Sequence, residues 1–158
     1  MANLSGVAQC KFCELVQGKL EAVIVFEDSV SMAFLDHRPL FPGHSLLIPK
    51  DHYETLLDLN TALITSLFSN AQLLSRSMEE GLGAEGSFVA VNNRVSQSVP
   101  HFHIHVVPRR KKDGLKGFFW PRQKYRDESH MAQVADELRS AIGRLSQVRD
   151  PGNQSPHR

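Results

Sequence analysis

The sequence is poor in long apolar runs and in net charge, and each shortage excludes a class of protein. No apolar stretch approaches the roughly 18 residues of a membrane-spanning helix, and residues 1–9 lack the basic start and apolar core of a signal peptide. Lysine and arginine number 18 against 17 acidic residues, so bulk charge gives no reason to expect binding to nucleic acid or to an anionic membrane. We therefore expect a cytoplasmic protein in which any recognition of phosphate is local.

Cysteine is equally scarce, because Cys10 and Cys13 are the only two in the chain. In a reducing compartment this spacing is more typical of a metal site or a redox pair than of a structural disulfide. A thioredoxin-like redox pair lacks a suitable βαβ context here, and two free buried thiols are the other alternative. Zinc is favoured over both, but it needs four ligands, so two must come from elsewhere in the chain.

The length of 158 residues is enough for one domain with a sizeable core and short for two. Residues 1–9 are polar and small and lack periodicity, which predicts a flexible arm. The composition of residues 147–158 predicts a disordered tail. A single domain is therefore expected over residues 10–146.

The spacing of apolar residues predicts two helices and five strands. A helical stripe that follows the N-cap residue Asn60 and ends near Gly81 predicts one long helix, and a second is expected from about 128 to 145. The predicted strands span residues 22–26, 30–35, 44–48, 87–92 and 101–107. Because strands, a long helix and further strands follow in that order, the pattern favours an antiparallel α+β domain over alternating βαβ units.

Three histidines at positions 101, 103 and 105 alternate with Phe102, Ile104 and Val106. On a β-strand this period of two places every histidine on one face and every apolar side chain on the other. The alternatives are a histidine-rich patch on an exposed strand and histidines that are ordinary half-buried packing residues. Strict alternation of three histidines, in a chain with only eight, favours a functional face.

Residues 101–107 resemble the His-φ-His-φ-His-φ-φ signature of the histidine triad superfamily of nucleotide hydrolases and transferases, where φ is an apolar residue. Segments 10–13, 34–39, 42–53 and 97–99 agree with the same family, so the resemblance covers roughly residues 10–110 in order. The resemblance implies an α+β fold of the histidine triad type. Its antiparallel five-stranded sheet carries one long helix and a C-terminal helix, and the chain is expected to form a homodimer.

The resemblance also implies a mechanism centred on the middle histidine of the triad, His103. In the family this residue attacks the α-phosphorus of a nucleotide and forms a nucleotidyl-histidine intermediate that water hydrolyses. Imidazole suits this role because it is unprotonated near neutral pH and is a good leaving group. His105 and His44 would act as donors toward the phosphate and the leaving group, and His101 would orient His103 through its backbone.

For the metal, the resemblance implies that His52 and His101 join Cys10 and Cys13 in one zinc site. Such a Cys2His2 set leaves no open position for water, so the zinc would be structural. Several members of the family lack the cysteines, which implies that the metal is not required for the chemistry.

For nucleotide recognition, the resemblance implies four further residues. Asp36 would bind the ribose hydroxyls, Asn92 would lie near the phosphate and sugar, and Gln97 and Ser98 would belong to the loop that holds the phosphate. Asp36 as a turn residue, Asn92 as a strand end and Ser98 as a loop hydroxyl are the alternatives. Residues 93–96 contain none of the glycines common in this loop of the family, which predicts a reshaped phosphate site.

The function expected from these features is hydrolysis at the α-phosphate of adenosine nucleotide derivatives: dinucleoside polyphosphates, AMP esters or phosphoramidates. The first alternative is a nucleotidyltransferase or dinucleoside polyphosphate phosphorylase, in which phosphate replaces water as the acceptor. The second is a nucleotide-binding regulatory module without turnover. The complete set of triad histidines together with His44 argues against this last alternative.

Overall fold

The computed structural model describes residues 10–115 and 123–149, and the chain divides into two compact units, residues 1–114 and 115–158. The predicted arm, residues 1–9, lies outside the described residues, as do residues 150–158 of the tail predicted over 147–158. Residues 147–149 are helical, so the tail was predicted to begin too early. None of the helices in the described ranges is both long and apolar enough to cross a membrane.

The first unit is an antiparallel sheet with a helix on each face. Its strands are β1 (Ile24–Glu27), β2 (Ser31–Leu35), β3 (Ser45–Pro49), β4 (Gly86–Ala90) and β5 (Ile104–Arg109), and its helices are α1 (Lys11–Val16), α2 (Thr61–Leu82) and a 3-10 turn (Leu56–Asp58). The strands lie in the order β1-β2-β3-β5-β4, and every neighbouring pair is antiparallel. This confirms the predicted α+β class, the five-stranded sheet and the long helix.

Helix α2 begins and ends where the sequence predicts. The Asn60 side chain accepts a hydrogen bond from the Leu63 amide at 2.9 Å, and Gly83 closes the helix in the left-handed conformation with a φ of 64°. The buried stripe of the helix packs on one face of the sheet, in a cluster with the side chains that alternate with the histidines. This cluster contains Leu67, Ala71, Leu74 and Met78 of α2 together with Ala33, Leu47, Phe102, Ile104 and Val106.

The opposite face of the sheet is covered by α1. Phe12 and Leu15 pack there against Phe34, Leu46 and Ile48, which alternate along their strands with residues of the α2 cluster. The central strands β2, β3 and β5 are therefore mostly buried. The short helix α1, which follows Cys10 and contains Cys13, lies on the side opposite α2.

The predicted strand at 101–107 is displaced, because the β5 ladder begins only at Ile104 and continues to Arg109. Leu47 pairs with Ile104, so a continued register would place Phe102 opposite Pro49. Proline has no backbone N–H to donate, and the Pro49 carbonyl is already bonded to the His101 ring at 2.9 Å. The Phe102 amide instead donates to the carbonyl of Tyr53 at 2.6 Å. The apolar side chains still alternate as predicted, but His101 and His103 precede the ladder.

The turn before β3 depends on Gly43, whose φ of 102° is unfavourable for any residue with a Cβ. A Cβ at this position would also lie 2.5 Å from Leu82 Cδ1. We expect Gly43→Ala to lower the free energy of unfolding by about 1 to 3 kcal/mol, measured by urea denaturation.

Gly81 is the matched control for that substitution, because it lies inside α2 and a Cβ there would meet no atom within 4 Å. Gly81→Ala is expected to raise the free energy of unfolding by about 0.5 to 1 kcal/mol, since it removes only the entropic cost of glycine in a helix. Equal destabilisation by both variants would contradict this account of the turn.

The second unit contains α3 (Glu128–Arg149), which confirms the predicted second helix over 128–145 and extends past it. Asp127 caps the helix by accepting from the His130 amide at 2.7 Å and from the Ser129 hydroxyl at 2.6 Å. Met131, Leu138, Ile142 and Leu145 leave at least half of their surface exposed.

Candidate active site and metal centre

Cys10 and Cys13 lie close to two histidines from distant parts of the chain. Cys10 Sγ lies 3.4 Å from His101 Nδ1, and Cys13 Sγ lies 3.6 Å from that nitrogen and 3.2 Å from His52 Nδ1. All four ligand atoms lie within 4.8 Å of one another. Sulfur and nitrogen ligands of one tetrahedral zinc ion stand roughly 3.6 Å apart, given bonds of about 2.3 and 2.05 Å. The spacing of the predicted Cys2His2 set therefore fits a single zinc ion.

The protonation of His101 also fits a metal ligand. Its Nε2 lies 2.9 Å from the Pro49 carbonyl, which can only accept, so the proton of the neutral ring is on Nε2. Nδ1 then presents a lone pair to the two sulfurs. A backbone carbonyl that binds the ring nitrogen facing away from the ligand site, and so fixes the tautomer, is typical of metal-binding histidines.

The thiols lie in an environment that lacks positive charge. Burial raises the pKa of Cys13 to about 11, and a hydrogen bond and charge interaction with Cys10 add to the effect. Burial likewise lowers the pKa of His101 to about 4 against the opposing hydrogen bond to Pro49. A divalent cation would supply the charge that the thiolates need, so the donor set suits zinc in its electrostatics as well as in its spacing.

His103 lies beside this centre with one ring nitrogen bound and the other open. Its Nδ1 is 2.7 Å from the His101 carbonyl, so Nδ1 carries the proton and Nε2 has the lone pair. No described residue forms a hydrogen bond with Nε2. Every buried side-chain nitrogen among the described residues has a hydrogen-bond partner, so Nε2 must belong to the exposed part of the ring. The ring as a whole is only 3% exposed. When the ring is uncharged, its lone pair is therefore on Nε2, an atom that no described residue binds.

A backbone amide sets the protonation of the next two histidines. The Leu40 amide donates to His44 Nδ1 at 3.1 Å, which leaves the proton of His44 on Nε2. That nitrogen lies 3.0 Å from His105 Nδ1 and donates to it. His105 then carries its proton on Nε2, which points away from His44 as a free donor.

Burial keeps these two histidines uncharged near neutral pH. It lowers the pKa of His105 to about 4, with His103 and His44 adding to the shift and Asp36 opposing it. Burial also lowers the pKa of His44, again against Asp36. The rings of His103 and His105 have their centroids 5.0 Å apart. The ring with an unbonded Nε2 and the ring with a free Nε2–H donor are therefore neighbours.

The two carboxylate oxygens of Asp36 have different neighbours, a backbone amide of its own turn and the ring of His44. Oδ1 accepts from the Arg38 amide at 2.9 Å, as expected for a turn residue, whereas Oδ2 lies 3.8 Å from His44 Nε2. Asp36, His44 and His105 have ligand atoms within 4.8 Å of one another. They do not fit a metal, because His44 Nδ1 accepts a hydrogen bond from the Leu40 amide. If Nε2 bound an ion, the proton of the neutral ring would have to be on Nδ1, where it would face that amide N–H.

The other predicted binding residues are in the loop before the triad. Gln97 uses both ends of its amide within the protein, accepting from the Arg94 amide at 2.7 Å and donating to the Glu54 carbonyl at 2.6 Å. The Asn92 and Ser98 side chains make no hydrogen bond to any described residue. Gln97 thus shapes the loop, and Asn92 and Ser98 keep polar groups available.

The loop takes its shape without glycine at a conformational cost. Arg94 and Ser96 adopt the left-handed region with φ of 65° and 59°, which costs about 1 to 2 kcal/mol for each residue with a Cβ. Asn93 anchors the loop by accepting from the Leu56 amide at 2.8 Å. The backbone thus reaches, without glycine, the positive φ that glycine would supply. The reshaping of the phosphate site stays a prediction.

Sequence reasoning missed two groups that hold the histidines. Phe12 packs edge-to-face against the rings of His101 and His103, and the Leu40 amide orients His44. The position of Phe12 between the two cysteines was the only signal for the first contact. No sequence signal marks the second, because any residue but proline supplies an amide.

Comparison with known proteins agrees with this arrangement. A sequence profile described as the HIT domain matches residues 17–112. An adenylylsulfatase of Arabidopsis thaliana is 32% identical over 138 residues, which cover 85% of this chain and 68% of that protein. An adenosine 5'-monophosphoramidase of Schizosaccharomyces pombe is 31% identical over 135 residues, which cover 84% of this chain and 98% of that protein.

Solved structures match the fold over most of the chain. A Streptococcus mutans protein has a TM-score of 0.76 at 30% identity, with 85% of each chain covered. A zinc-bound histidine triad family protein from Mycobacterium smegmatis has a TM-score of 0.67 at 35% identity, with 90% of this chain and 99% of that chain covered. The predicted fold of the histidine triad type is confirmed, and the chain belongs to the HIT family.

Proposed function

We propose that the protein is a nucleotide hydrolase that cleaves at the α-phosphate of adenosine derivatives through a covalent intermediate on His103. The observation that supports this best is the neighbouring pair of rings in which His103 Nε2 is bound by no described residue and His105 carries a free Nε2–H donor. Hydrolysis at phosphorus needs a nucleophile and a donor for the oxygens that gain charge. Both groups are held in place by the backbone before substrate binds.

In the first step, His103 Nε2 forms a bond to the α-phosphorus while the bond from phosphorus to the leaving group breaks. The leaving group departs with the electron pair of that bond. The ring becomes positively charged, and its Nδ1–H remains bonded to the His101 carbonyl, which stabilises that charge. His105 Nε2–H donates to a phosphoryl oxygen, and His44 holds His105 in the tautomer that makes this possible.

In the second step, water attacks the phosphorus and the bond to Nε2 breaks. The electron pair returns to Nε2, which leaves as a neutral imidazole because its proton stayed on Nδ1 throughout. AMP is released and a proton passes to solvent. The buried, uncharged neighbours His105 and His44 are suited to this cycle, since neither repels the positive ring of the intermediate.

The substrate is proposed to be an adenosine 5'-monophosphoryl compound, and the two named relatives act on compounds of this kind by their names. Asp36 has one oxygen to offer to the ribose hydroxyls, since its other oxygen is used in the turn. Asn92 and Ser98 have unbonded polar groups near the start of the triad segment. Dinucleoside polyphosphates, phosphoramidates and AMP esters share the phosphorus that His103 would attack.

Three substrates offered in parallel test the proposal: adenosine 5'-phosphoramidate, adenylyl sulfate and diadenosine polyphosphate. Each is incubated with the protein, with and without inorganic phosphate, and products are separated by chromatography. We expect AMP from at least one of them at a rate independent of phosphate. ADP that appears only with phosphate would indicate a phosphorylase, and tight binding without products would indicate a binding module, and either result would overturn the proposal.

We propose zinc as the ion held by Cys10, Cys13, His52 and His101. Its support is the spacing and tautomer of the donor set, together with the zinc-bound relative. All four positions are taken by protein atoms, so the ion would stabilise the fold and would not bind substrate.

We also propose a homodimer. Strand β4 ends the sheet, with β5 as its hydrogen-bonded neighbour in the described residues, and Val89 on this strand is 41% exposed. Phe68 and Leu73 on α2 are exposed to a similar degree. A sheet edge and an apolar helix face are surfaces that oligomers commonly bury. A single species of monomer mass in light scattering would contradict a dimer.

A cytoplasmic location is proposed on the cysteines. Both are free and buried, and a zinc site made from thiolates requires a compartment that keeps them reduced. The substrate class and the near-zero net charge suit a partner that is a small nucleotide, without nucleic acid or membrane.

A further inference from the structure

The buried side chains of α1 and of its N-cap residue Cys10 contact two different groups of residues. Cys10 and Cys13 face the metal centre, whereas Phe12 lies between them in sequence and contacts the nucleophile. The ring centroids of Phe12 and His103 are 5.4 Å apart, and the planes are nearly perpendicular at 88°. The same phenyl ring lies 5.8 Å from the ring of His101.

We propose that Phe12 is a positioning residue, which holds the His103 ring in the orientation required for attack on phosphorus. The segment of Cys10 to Cys13 would thereby contribute to turnover, although the proposed zinc site is closed and meets no substrate. The inference rests on the proposed role of His103 as nucleophile.

Three contacts hold the His103 ring. Its Nδ1 hydrogen bond to the His101 carbonyl fixes one ring nitrogen, the His105 ring lies 5.0 Å away, and the Phe12 ring meets it edge to face. The plane of the ring decides whether the Nε2 lone pair points along the line of attack. An edge-to-face aromatic contact restrains that plane and is buried here, since Phe12 is only 8% exposed.

Two contacts join the segment of Cys10 to Cys13 with the triad segment. His101 faces both cysteine sulfurs through Nδ1 and binds His103 through its backbone carbonyl. Phe12 reaches the same histidine through its ring. Displacement of α1 would therefore remove the Phe12 contact that restrains the His103 ring. It would also loosen His101, whose carbonyl binds His103 Nδ1.

The test compares Phe12→Leu with Phe34→Leu. Phe34 contacts Phe12 at 5.4 Å in the same buried cluster, so both substitutions remove one ring of the same aromatic pair. Among the described residues, only Phe12 of this pair has a ring contact with His103. We expect similar losses of thermal stability and unchanged zinc content in both variants.

Turnover is expected to separate the two variants. Phe12→Leu should lower kcat by roughly two- to tenfold, the range that corresponds to one aromatic contact, while KM stays within about twofold. Phe34→Leu should keep kcat within about twofold of the wild type. Because the stability losses match, a difference in kcat alone cannot come from global unfolding.

A measurement without substrate completes the test. The Nδ1 proton of His103 should give a sharp, slowly exchanging NMR signal in the wild type and in Phe34→Leu, and a broad, faster-exchanging signal in Phe12→Leu. Phe12→Met serves as the second variant if Phe12→Leu fails to fold, with the same expectations.

The outcomes separate this inference from the proposed function. If His103→Ala abolishes turnover but Phe12→Leu and Phe34→Leu behave alike in kcat and in the NMR signal, the positioning role of Phe12 is wrong and the nucleophile stands. If His103→Ala leaves turnover unchanged, the proposed mechanism itself is wrong, whatever Phe12 does to the ring.

Discussion

Replacement of His103 by alanine is expected to lower kcat by roughly 10⁴-fold or more on the best adenylyl substrate. The reason is that this change removes the atom proposed to form the bond to phosphorus. Affinity for AMP should change only a few-fold, since His105, His44 and Asp36 keep their positions. Turnover by single-turnover kinetics and AMP binding by calorimetry measure the two effects.

His130→Ala on α3 is the control for that substitution, because it removes a histidine that contacts Tyr125 and lies outside the proposed site. Its kcat should match the wild type. Mass spectrometry of wild-type protein quenched during turnover should find AMP attached to the peptide that contains His103. Full activity in His103→Ala would exclude the covalent mechanism.

Removal of the metal is expected to have the largest effect on stability. The four ligands lie up to 91 residues apart in sequence, so an ion that bridges them ties α1 to the rest of the unit. Binding at a hundredfold excess over Kd contributes about 3 kcal/mol, which corresponds to a fall in Tm of roughly 10 °C for a chain of this size. Calorimetry of the protein before and after chelation measures that fall, and added zinc should restore the original Tm.

Cys13→Ser should reproduce the effect of the chelator, because it replaces a thiolate with a weak ligand. Gln17→Ser at the end of the same helix is the control and should keep both Tm and zinc content. Cobalt bound in place of zinc should show the absorption bands of a tetrahedral site with thiolate ligands. Purified protein that contains no zinc and does not bind cobalt would contradict the metal centre.

The local rules of helices and alternation were sufficient to predict much of this fold. Asn60 and Gly83 define α2 by chemistry that acts within one turn, so the sequence alone predicts its ends. The alternation of histidine with Phe102 and Ile104 assigns opposite faces correctly, because side-chain direction depends only on the extended backbone. The predicted donor set meets in space as the family resemblance implies.

The start of β5 was predicted wrongly, because it depends on the partner strand. Pro49 cannot donate to a neighbour, and its carbonyl is bonded to the His101 ring, so the ladder cannot include Phe102. The contact of Phe12 with His103 joins residues about 90 positions apart, and no period in the sequence encodes it. The occupied amide of Gln97 likewise depends on Glu54, which lies 43 residues earlier.

The spread of the metal ligands has a consequence for the order in which the nascent chain can fold. Cys10 and Cys13 are synthesised about 90 residues before His101, so the proposed zinc site cannot close until His101 is made. The carbonyl that binds His103 belongs to the same His101. A chain synthesised only as far as residue 100 would therefore have free thiols, and binding of the ion and orientation of the proposed nucleophile would follow together.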